Sequence, residues 1–110
     1  MKSAAMILLA LAAVSPAPAA ETFAGTIADD MCALAGHASM RMGPTDADCT
    51  RACVSLHGAS YVLVDGKNVY VLSDQKTADQ WAGQKVTVVG TLDAKTKTIQ
   101  VESIAAASSR

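Results

Sequence analysis

The chain is 110 residues long, 51% hydrophobic and 17% charged, with nine Lys and Arg set against ten Asp and Glu. That length holds one small domain with a modest core, for which a covalent or metal staple is valuable. No basic run is present and the aromatic residues are Phe23, Tyr61, Tyr70 and Trp81 alone, so the charge footprint and stacking surface of a nucleic-acid binder are both missing.

Met1-Lys2-Ser3 carries one positive side chain and runs into Ala4 to Val14, an apolar stretch too short to cross a bilayer as a helix. Small residues follow at Ala17 and Ala19. Residues 1–20 therefore read as a signal peptide cleaved after Ala19 or Ala20, leaving a single domain over 21–110 that is periplasmic or secreted and has no membrane span. No Cys follows the apolar run, which argues against a lipid anchor.

Thr22 to Ile27 reads as the first strand, with Phe23 and Ile27 on one face and Gly25 between them marking a bulge or a close backbone approach. Ala28 to Pro44 loses periodicity and reads as an ordered loop. From Thr45 to His57 the residues Cys49, Ala52, Cys53 and Leu56 recur at i, i+3, i+4 and i+7, the stripe of an amphipathic helix that Thr45 caps and Gly58 ends. Tyr61 to Val64 and Asn68 to Leu72 flank Asp65-Gly66-Lys67 as a hairpin. Ser73 or Asp74 caps a short helix through Ala82 that buries Ala78, Trp81 and Ala82. Lys85 to Leu92 and Thr98 to Glu102 alternate as strands about a turn at 93–96, and 105–110 reads as a frayed tail.

This order of elements is mainly β with two short helices. It fits a five-stranded OB-like Greek-key barrel in which a Cys-containing loop-helix insertion, residues 28–59, separates the first two strands. An open antiparallel sheet with two helices is the alternative. The fold by itself assigns no function.

Several segments give the chain a family likeness: Gly25-Thr26-Ile27-Ala28-Asp29, Cys32, His37, Cys49-Thr50-Arg51-Ala52-Cys53, the hairpin from Tyr61 to Val64, and Ala82 to Leu92. In these it resembles a group of small exported bacterial proteins of unknown function, and the likeness extends over nearly all of 21–110. The closing segment also resembles bacterial OB-fold proteins linked to envelope stress. The resemblance implies export and a barrel-like fold, and brings no activity and no catalytic residues with it.

All three cysteines, Cys32, Cys49 and Cys53, fall in one stretch, with His37 after the first. Export places them in an oxidising compartment, where thiols need pairing, metal or burial, and an odd count leaves one over if a disulfide forms. For metal, Cys49 and Cys53 one helical turn apart aim at a common point while the loop brings Cys32 and His37, a Cys3His set that suits Zn(II). Cu(I) is a second choice, because Met31, Met40 and Met42 lie beside His37 and supply soft thioethers. Asp29 and His57 rank below these four. An acid pair such as Asp29-Asp30 at a strand end commonly serves turns, and a His at a helix C-terminus interacts with the dipole.

The competing reading is a disulfide from Cys32 to Cys49 or Cys53, which makes the chain a stapled envelope module that meets another protein or a small ligand without metal. A bridge from Cys49 to Cys53 is strained by the helix between them. An enzyme is not expected: Cys-x-x-x-Cys is not the spacing of thioredoxin-like redox helices, and no base with an orienting partner accompanies the thiols. The expectation taken forward is an exported metal-binding protein, structural if the site is enclosed and buffering or delivering metal if one face is open.

Overall fold

The computed structural model describes residues 19–33 and 45–107. Seven elements follow in the order β1 (Glu21–Asp29), α1 (Asp46–His57), β2 (Tyr61–Asp65), β3 (Asn68–Leu72), α2 (Gln75–Gln80), β4 (Lys85–Asp93) and β5 (Thr98–Ala106). The described residues are thus mainly β, with five strands in one sheet and two helices. Among the described residues no helix is long and apolar enough to cross a membrane.

Each strand pairs with two others in the order β1-β2-β3-β5-β4, and β4 returns to β1 through the register Glu21↔Gly90 to Thr26↔Lys85. All pairs are antiparallel except β3 with β5, which run parallel at Val71↔Thr98 and Leu72↔Ile99. Alternate residues of the strands turn inward, and Ile27, Leu63, Leu72, Val86, Val88 and Ile99 are fully buried at the centre. Phe23, Tyr70, Trp81 and Ile104 pack half-buried against that core. Gly25 lets β1 pass close to β2, since a Cβ there would stand 2.3 Å from the Val64 carbonyl oxygen.

Three boundaries differ from the sequence expectation. Strand β1 runs on through Ala28 and Asp29, which pair with Val62 and Tyr61, so the loop expected from Ala28 starts two residues later. Strand β5 continues to Ala106, and Ala105 and Ala106, expected in the frayed tail, pair with Thr87 and Val86. A register shift puts Glu102 as an extra residue between the pairs Gly90↔Val101 and Val89↔Ser103, which reverses the side-chain alternation and hides the rest of the strand from a period-two reading. Helix α2 stops at Gln80 because Trp81 has left helical geometry.

The inserted segment is fastened at both ends. The Asp30 N–H donates to the Ser60 carbonyl at 3.0 Å, and the Ser60 N–H donates to Asp30 Oδ1 at 3.1 Å. Thr45 caps α1 by accepting from the Asp48 N–H at 3.1 Å, and Gly58 ends it at φ 68° with its N–H on the Cys53 carbonyl. The buried face of α1 is Cys49, Thr50 and Cys53, with Val54 packed on the core. Leu56, expected on the apolar stripe, is 71% exposed, because the helix is rolled to present Thr50 and Val54 in its place.

Candidate metal centre

The site lies where β1 ends. Asp29 is the last residue of that strand, opposite Tyr61 at the start of β2, and it is fully buried although charged in type. One of its oxygens, Oδ2, accepts the Cys32 N–H at 3.1 Å, closing the turn 29–32 and fixing where Cys32 begins. The turn-forming role expected of the acid pair at the strand end is therefore real. It also leaves a carboxylate in the interior.

Helix α1 crosses over that turn and brings Cys53 to it. One ligand atom each from Asp29, Cys32 and Cys53 falls in a group whose members all lie within 4.8 Å of one another, and all three residues are buried. Burial pushes the Cys53 thiol up to about 11, and the neighbouring Asp29 carboxylate adds to the shift by opposing a second negative charge. At neutral pH the thiol therefore keeps its proton unless a cation offsets both effects.

Of the four residues ranked first from sequence, the structure brings Cys32 and Cys53 together. Cys49 is fully buried one turn earlier on α1 and is not a member of the group. His37 lies outside the described residues, as do Met40 and Met42. Of the two ranked lower, Asp29 belongs to the group, whereas His57 is exposed at the last residue of α1 and does not. The disulfide expected as the alternative, Cys32 to Cys49 or Cys53, is not formed, and none of the three thiols is bridged.

The shell around the group holds α1 and α2 in register. The Arg51 guanidinium donates from Nη2 and Nε to the Asp79 carbonyl at 2.9 and 3.2 Å, with the Asp79 carboxylate 3.8 Å from Nε. Tyr61, the strand partner of Asp29, donates from its hydroxyl to Asp79 Oδ1, and burial with this bond moves the phenol well above its usual range. Gln75 completes the clamp by accepting the Tyr61 N–H at 2.6 Å and donating to the Tyr61 carbonyl at 2.9 Å.

No curated protein and no solved structure matches the chain. One family model does, over residues 53–107, half of the chain, and its description is a protein of unknown function. Of Asp29, Cys32 and Cys53, only Cys53 lies inside the matched segment. On that match the chain belongs to the DUF5818 family.

Proposed function

We propose that this is an exported metal-binding protein on an OB-like Greek-key barrel, with Asp29, Cys32 and Cys53 as the protein ligands of one Zn(II). The observation that carries the reading is the convergence of three buried ligand atoms within 4.8 Å, from a strand end, a turn and a helix. A cation at this point would interact with the Asp29 carboxyl group and both sulfurs at once. Two thiolates with one carboxylate form a donor set that Zn(II) accepts readily, while the hard oxygen disfavours Cu(I). Among the described residues the group is made of one carboxylate and two thiols. Export rests on the signal-like pattern of residues 1–20.

Competition with a chromophoric chelator, on protein stripped of metal and kept reduced, tests the ligand assignment. The parent is expected to bind one Zn(II) per chain. Cys32→Ser weakens binding by at least about a hundredfold and Asp29→Asn by at least about tenfold, since Asn keeps an acceptor for the Cys32 N–H and loses the charge. Cys49→Ser binds as the parent does. Equal losses in Cys49→Ser and Cys32→Ser, or no binding by the parent, contradict the assignment.

A further inference from the structure

Thr50 stands three residues before Cys53 on the same side of α1 and is fully buried, yet among the described residues its Oγ1 has no hydrogen-bond partner. A Thr within a helix usually settles its hydroxyl on the carbonyl one turn back, and a buried hydroxyl left without any partner is rare in native folds. Thr50 also lines a cavity of about 160 Å³, together with Ile27, Cys32, Asp46 and Gly83. Of the lining residues, Ile27, Cys32 and Thr50 are buried and Asp46 is exposed. The cavity therefore shares its lining between Cys32, one of the three clustered ligands, and Thr50, whose hydroxyl is unused among the described residues. Its volume is several times the roughly 30 Å³ that a water molecule occupies in the liquid.

We propose that this cavity holds the fourth, exchangeable ligand of the metal, a water molecule or small monoanion that accepts a hydrogen bond from Thr50 Oγ1. The inference rests on the metal reading above and deepens it. With three protein ligands among the described residues and an exchangeable fourth, the centre trades ligands, in contrast to the closed four-ligand shell of a structural zinc. An exchangeable fourth ligand suits metal buffering or delivery.

Cobalt spectroscopy on the reduced protein under exclusion of oxygen, with azide as the probe, separates this inference from the reading beneath it. Thiolate-to-cobalt charge transfer reports that the metal is bound by sulfur, and the d–d bands report the open position. In the parent, azide shifts the d–d bands saturably. Thr50→Val keeps the charge-transfer band and loses about tenfold or more in azide affinity, because a hydrogen bond to a charged ligand has gone, and Thr50→Ser restores the parent affinity. Charge transfer with no response to azide, or equal azide affinity in Thr50→Val and the parent, overturns the open position while the metal reading stands. Absence of charge transfer in the parent overturns both.

Discussion

Cys53→Ser is expected to abolish the thermal stabilisation that Zn(II) confers on this protein. A ligand that binds only the folded state at a free concentration about a thousandfold above its Kd stabilises by about 4 kcal/mol. A domain of this size gains about 4–8 °C in Tm per kcal/mol, so adding EDTA lowers the Tm of the zinc-loaded parent by at least about 15 °C. The Tm of Cys53→Ser moves by less than about 2 °C under the same addition. The variant still folds, because serine can make the hydrogen bond to Asp29 that the Cys53 thiol makes in the absence of metal. The pH dependence follows from the same thiol. With its pKa at about 11, Cys53 is protonated in the metal-free protein at pH 7, and zinc binding must release that proton. Protons therefore compete with zinc, and affinity falls about tenfold for each unit of pH lowered on account of this one group. A parent whose EDTA shift matches that of Cys53→Ser contradicts the assignment.

Gly83→Ala is expected to damage the site from a distance by pushing α1 away from the sheet. Gly83 has φ 76°, and a Cβ there would stand 2.7 Å from the Ala47 backbone N and 3.0 Å from its Cα. A side chain in left-handed geometry costs about 1–2 kcal/mol. Forcing backbone apart where no flexible side chain can yield adds about 1–3 kcal/mol. The Gly83 N–H also donates to the Ile27 carbonyl at 2.8 Å, and the Ile27 N–H to the Gln84 carbonyl at 3.0 Å, so β1 is tied to the turn that moves. Asp29 is carried by β1 and Cys53 by α1. Denaturant unfolding is expected to show a loss of about 2–4 kcal/mol, the sum of the two costs at its lower and middle range. Hydrogen exchange accelerates most in α1, and zinc affinity drops. Unchanged stability with unchanged exchange in α1 is the opposing result.

The elements legible in the sequence are those whose signal is local. The Cys49, Ala52, Cys53 spacing with Thr45 before it and Gly58 after it placed α1 within one residue of its observed start. The hairpin of β2 and β3 was equally plain from two apolar runs about Gly66. The extra residue at Glu102 breaks the alternation that marks a strand, and backbone pairing with β4 carries β5 beyond it. Of the observed group, Cys32 and Cys53 stood in the set ranked first from sequence and Asp29 stood below it. Two cysteines on one helix face look equivalent from their spacing, and only the roll of α1 against β1 decides that Cys53 reaches Asp29 and Cys32. Asp29 ranked low because an acid at a strand end has an ordinary turn-forming use, and here it has that use as well. Thr50 left no sign, since a hydroxyl between two cysteines becomes notable only once its burial is known.

X-ray absorption at the zinc edge tests the central claim most directly, because it counts the sulfurs on the metal. The account predicts two sulfurs at about 2.3 Å, with the remaining shell made of oxygen or nitrogen at about 2.0–2.2 Å. A first shell with three sulfurs, which would bring in Cys49, or with none contradicts it.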